Sequence, residues 1–132
     1  MKKFFYLMCV CLFASVAVMT SCNKEEKHEI EMSSLEKGTH ENGNTVTHVV
    51  IRNNEFALLF TATFDDNNKC NSLLQQYVYA TNAAAEKAWP EWQEDINDPE
   101  HLSIKSNVIT WNRSEEFKGK SKTEVIEFVQ NF

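Results

Sequence analysis

The longest stretch without a charge stands at the start of the chain, where residues 4–19 follow the basic triplet Met1-Lys2-Lys3. That run falls short of the roughly 20 apolar residues of a comfortable membrane span, and it ends in Thr20-Ser21 where a stop-transfer segment would carry basic residues. The pattern predicts a secretory signal over residues 1–21. Residues 23–44 then turn polar and charged, with only Ile30, Met32 and Leu35 as large apolar side chains and with glycines at 38 and 43. So few apolar groups do not offset the entropy of ordering, and a flexible tether over 22–44 is expected, with at most a short helix around residues 30–37.

The hydrophobic rhythm changes again at Thr45. Residues 45–52, Thr-Val-Thr-His-Val-Val-Ile-Arg, are rich in β-branched side chains and predict a strand, and Asn53-Asn54 suits a tight hairpin turn. Residues 55–65 predict a second strand. Phe56, Leu58, Phe60, Ala62 and Phe64 fall on one face at period two, and Ala57, Leu59, Thr61 and Thr63 fall on the other. Asp65-Asp66-Asn67-Asn68-Lys69 has the composition of a turn.

Residues 70–80 fit two patterns. Leu73, Leu74, Tyr77, Val78, Ala84, Ala85, Ala88 and Trp92 share one face of a long helix, and Ser72 with Gln75 would cap it. Such a helix would be about twice the mean length and would run through Tyr-Val-Tyr and Thr81-Asn82. A third strand paired back on the second is the preferred reading. It leads into a helix over 83–95 capped at Thr81 or Asn82, in which Pro90 is expected to cause a kink or break at Trp89. Two short strands, 101–104 and 108–111, flank the turn Lys105-Ser106-Asn107, and Ser121 with Glu124 forms a capping box for a last helix carrying Val125, Ile126, Val129 and Phe132. The fold class is therefore α+β, an antiparallel sheet of about four or five strands with two helices packed on one face, as a small domain over 45–132.

Length and charge narrow the partners. Removal of residues 1–21 leaves 132 − 21 = 111 residues, enough for one domain and too few for a deep multi-part cleft around a large cofactor. With Lys2 and Lys3 gone, 13 − 2 = 11 basic side chains face 19 acidic ones, a net charge of −8 that repels phosphate backbones and argues against a nucleic-acid partner. Cys9 and Cys11 fall in the signal, so Cys70 has no partner for an intrachain disulfide once Cys22 is otherwise committed, and it reads as a small core side chain.

Met19-Thr20-Ser21-Cys22 resembles the lipobox of bacterial lipoproteins, with Met19 in place of the usual leucine. The resemblance implies that Cys22 takes a diacylglycerol and becomes the mature N-terminus. Asn23-Lys24-Glu25-Glu26 resembles the surface-export signal of Bacteroidetes lipoproteins, in which Lys24, Glu25 and Glu26 would direct the protein to the cell surface; the plain alternative is a solvated linker. As a whole the mature chain is similar to small lipoproteins of that group. The resemblance implies an outer-membrane location, on the cell surface or the periplasmic face, held through an N-terminal lipid.

Signs of catalysis are sparse. His28, His40, His48 and His101 are isolated, with no Cys pair or His-x-x-x-His, and His48 reads as a solvent-facing strand residue, so no metal is expected. No serine sits in a Gly-x-Ser-x-Gly elbow, and three glycines do not build a phosphate-cradling loop. The acid pairs Asp65-Asp66, Glu94-Asp95 and Glu115-Glu116 fall in turns or at helix ends, where carboxylates are ordinarily solvated. Trp89, Trp92 and Trp111 are the candidate ligand contacts, since exposed indoles stack on sugars and dominate protein interfaces; the alternative is that they fill the core. The expected function is a non-enzymatic, cofactor-free envelope module for a protein partner. The alternative is a glycan-binding surface lipoprotein that uses those tryptophans.

Overall fold

The structure, a computed structural model, describes residues 27–52 and 55–132. The expected signal over 1–21, the lipid site Cys22, the export residues Lys24, Glu25 and Glu26, and the Asn53-Asn54 turn lie outside the described residues. The elements run β1 (Gly38–Asn42), β2 (Thr45–Arg52), β3 (Phe56–Phe64), β4 (Cys70–Tyr79), α1 (Asn82–Ile96), β5 (Leu102–Lys105), β6 (Val108–Asn112), α2 (Ser114–Phe117) and α3 (Lys122–Gln130), preceded by a 3-10 turn at Met32–Ser34. The strands form one sheet in the order β1-β2-β3-β4-β6-β5, and every neighbouring pair is antiparallel.

The α+β class stands, and among the described residues the sheet has six strands and there are three helices, close to the four or five strands and two helices expected. The additional strand is β1, which lies inside the stretch expected to be a tether. It is polar throughout, Gly-Thr-His-Glu-Asn, and stays on the sheet through its ladder to β2, so no hydrophobic alternation announces it. Gly43 makes the turn into β2 with φ +63°, a conformation that glycine adopts at little cost.

Period-two alternation on β3 sorts the interior into two layers. Leu58, Phe60, Ala62 and Phe64 are buried toward the helices, where they join Tyr77, Leu73, Ile109, Val125 and Val129, with Phe56 packed alongside. Leu59 faces the other way and meets Val49, Val78 and Val108 in a smaller cluster. Residues 27–35 cover that second cluster: Ile30, Met32 and Leu35 pack on it, so the segment is a strap across the sheet's back face. Three apolar side chains are too few to fold alone, but they suffice where the sheet presents a matching apolar surface.

Residues 70–79 are a strand, paired antiparallel to β3 with Phe56 opposite Tyr79 and Phe64 opposite Cys70, and an irregularity falls between Thr63 and Phe64. Cys70 is 1% exposed, and burial pushes its thiol pKa up, in keeping with a core side chain. The helix α1 starts as expected at Thr81, whose hydroxyl accepts the Ala84 amide at 3.1 Å. It does not break at Trp89. Proline removes the hydrogen bond to the Glu86 carbonyl, but Glu86 and Pro90 are both exposed, so water can take that carbonyl, while Trp89, Trp92 and Ile96 pack on the core to either side. The capping box of α3 forms in full: Ser121 Oγ accepts the Glu124 amide at 3.2 Å and Glu124 Oε1 accepts the Ser121 amide at 3.0 Å.

His48 corrects the expectation of a solvent-facing residue. It lies opposite Phe60 on the helix side of β2, half-buried, with Nδ1 2.8 Å from Thr39 Oγ1, and burial followed by the charge of His40 lowers its pKa.

Candidate functional site

Two of the three tryptophans have their N–H groups taken inside the fold. The Trp92 ring stacks on Tyr77 with centroids 4.1 Å apart, meets Phe56 edge-on, and donates its Nε1–H to the Tyr79 hydroxyl at 2.7 Å. Trp111 donates Nε1–H to Asp98 Oδ2 at 3.0 Å, and the Arg113 guanidinium lies 4.2 Å above its ring. Trp89 lines a small cavity of about 170 Å³ with Gln93, Pro99 and Leu102. The structure therefore places the three on one side of the sheet and uses Trp92 and Trp111 as packing and hydrogen-bonding groups; it does not gather three open ring faces into a platform.

A groove that sequence reasoning missed lies beside α1. Ala80, Ala84 and Ala88 line it, of which the last two stand one turn apart on one face of the helix, and its volume is about 680 Å³. Buried Tyr79 and exposed Pro90, Glu55, Lys87 and Glu91 complete the lining. The alanines leave room in the groove because their side chains end at Cβ. Burial pushes the Tyr79 hydroxyl pKa up, the hydrogen bond from Trp92 opposes that, and the charges of Glu55 and Glu91 push it further up. The groove combines alanine side chains, the side of Tyr79 and two carboxylates against one lysine. Such a surface suits an apolar segment carrying a basic group. Among the described residues no group of three His, Cys, Asp or Glu side chains could hold a metal ion.

The signal in the sequence was present but ambiguous. Ala83-Ala84-Ala85 reads as helix propensity, and the wider stripe at 80, 84 and 88 lines a groove only because Tyr79 of β4 and Glu55 of the turn before β3 come beside it.

At the far end of α1, Asp98 organises a second polar cluster. His101 Nδ1 is 2.9 Å from Asp98 Oδ1, and its Nε2 is 3.8 Å from Glu115 Oε1. The hydrogen bond to Asp98 raises the His101 pKa above its usual value, while the hydrogen bonds from His101 and then Trp111 lower that of Asp98. A raised histidine stabilises the fold fully below its unfolded pKa and loses that contribution as pH rises through the folded value. A depressed aspartate stabilises above its unfolded pKa and loses it as pH falls through the folded value. The pair is thus strongest between the lowered Asp98 pKa and the raised His101 pKa. On moving from about pH 5.5 to about pH 9, the urea midpoint of the native protein should drop more than that of His101→Gln. Parallel pH profiles would refute the pairing.

No protein-family model matches the chain, and neither the curated proteins nor the solved structures contain a match to it.

Proposed function

We propose that the chain is a lipid-anchored envelope lipoprotein that works without catalysis, as a binding or accessory module for a protein partner. The anchor is the lipobox-like Cys22, and two or more acyl chains on one residue hold a protein to a bilayer stably where a single chain does not. The observation that supports a protein partner is the alanine-lined groove with its two carboxylates, which suits a slender apolar segment bearing lysine or arginine. The glycan reading rested on exposed indoles, and the stacking of Trp92 on Tyr77 gives it less support.

Two measurements test the proposal. Cys22→Ala should move the protein from the salt-washed membrane fraction to the soluble fraction, and continued sedimentation of the variant would refute the anchor. A photo-crosslinking side chain at Ala84 should give one discrete protein adduct in cells, and Glu55→Lys with Glu91→Lys should abolish it by reversing the rim charge. An adduct indifferent to that reversal would refute the groove as the contact.

A further inference from the structure

The strap fixes the point from which the upstream chain leaves the domain. Asn82 Nδ2 donates to the Lys27 carbonyl at 3.1 Å, and Asn107 Oδ1 accepts the Glu29 amide at 2.9 Å. Both partners stand at the same end of the sheet, where Arg52 pairs with Phe56, Phe56 with Tyr79, and Val78 with Val108. The other end carries the 65–69 and 118–121 loops, the second of which is tied to the start of β4 by Cys70 N–H to Lys120 O and Gly119 N–H to Cys70 O.

Only residues 23–26 separate Cys22 from Lys27. Five Cα-to-Cα steps span at most about 17–19 Å fully extended. The ten residues of β4 are about 33 Å long. An acylated Cys22 is therefore tied to the Asn107 end by a leash shorter than the sheet. The groove lies at that same end, since Glu55 lies in the turn before β3, Tyr79 closes β4 and Ala84 sits in the first turn of α1.

We infer that the anchor mounts the domain with its Asn107 end against the bilayer, so that the groove opens near headgroup level and receives the membrane-proximal segment of a neighbouring envelope protein. This rests on the reading that Cys22 is acylated. It accounts for the pairing of alanines with carboxylates, because a segment lying at headgroup level is amphipathic with lysine or arginine on its polar face, and such a side chain lays its apolar stem on the alanines while its charged end reaches Glu55 or Glu91. It also separates the two ends of the domain in role: the Lys118–Lys120 end stands away from the membrane.

The test uses the full chain, processed by its natural host, purified and reconstituted in phosphatidylcholine–phosphatidylethanolamine vesicles that carry a headgroup acceptor dye. A donor dye is attached at Lys105→Cys or at Lys120→Cys; Cys70 is buried and does not label, and Cys22 is blocked by lipid. Energy transfer should be several-fold stronger from position 105 than from position 120. Insertion of 20 Gly/Ser residues after Glu26, with a root-mean-square reach on the order of 25 Å, should largely remove the difference. Equal transfer from both positions in the acylated native protein would overturn the mounting alone. Intact mass showing Cys22 without lipid would overturn the mounting together with the anchor on which it rests.

Discussion

Asn107→Leu should free the N-terminal strap and lower the stability of the domain by about 2–4 kcal/mol, read as a fall in the urea midpoint. Asn107 has no exposed surface, and its amide is fully engaged: Oδ1 accepts from the Glu29 amide at 2.9 Å and more weakly from Ile30 at 3.4 Å, while Nδ2 donates to the Ile30 carbonyl at 2.6 Å and the Tyr79 carbonyl at 2.8 Å. Leucine is close in volume but offers no polar atom, so the Glu29 amide and both carbonyls lose their partner; each such loss in a buried place costs about 1–3 kcal/mol unless water reaches it. Water reaches the strap groups only if the strap lifts, which uncovers Val49, Leu59, Val78 and Val108. Trypsin cleavage after Lys37 should accelerate with it. Asn107→Asp separates the hydrogen bonds from the packing, because it keeps the shape and turns the two donors into acceptors that face carbonyl oxygens. If both variants keep the native midpoint and cleavage rate, Asn107 does not hold the strap.

The importance of Asn107 was hidden in the sequence for the same reason that the strap was. The turn Lys105-Ser106-Asn107 was legible from composition, and the Ser106 backbone at φ +54° agrees with it, but the partners of the asparagine on the strap lie 77 and 78 residues away along the chain and Tyr79 lies 28 away. Likewise, the faces of β3 could be read from alternation because one buried strand carries the whole pattern. The strand β1 could not, since an edge strand needs only its backbone to pair and its side chains are free to be polar. Of the kink or break expected at Trp89, the break does not occur: proline costs about 3 kcal/mol in a helix interior, yet packing of Trp89, Trp92 and Ile96 on the core keeps the helix continuous across it. The α3 cap was legible because both of its partners lie three residues apart. The candidate groove was not, because its lining comes from the turn before β3, the end of β4 and α1, and only the assembled sheet brings Glu55 and Tyr79 to the alanine stripe.

Arg113→Met should cost about 2–3 kcal/mol, with much of the loss shared with Gln75. Arg113 leaves β6 with a guanidinium that is mostly covered: Nη1 donates to Gln75 Oε1 at 2.8 Å, Nε and Nη2 hold both Glu116 oxygens at 3.1 and 2.9 Å, and the charge lies 4.2, 5.1 and 5.4 Å from the rings of Trp111, Phe128 and Phe117. Glu116 is half exposed, so that ion pair alone contributes little. The bond to Gln75 matters more. At 3% exposure Gln75 depends on Arg113 for its carbonyl, and its amide donates in turn to the Tyr77 hydroxyl at 2.8 Å, beneath the ring that stacks on Trp92. Methionine preserves the alkyl stem against the aromatic rings but strands the Gln75 oxygen. Gln75→Met in the same chain removes that stranded acceptor, so the double variant should be less destabilised than the sum of the single variants by about 1 kcal/mol or more. Urea midpoints of the four proteins at constant slope measure this coupling. Strict additivity would mean that Arg113 acts through the rings and Glu116 alone, and that the buried glutamine finds water in its absence.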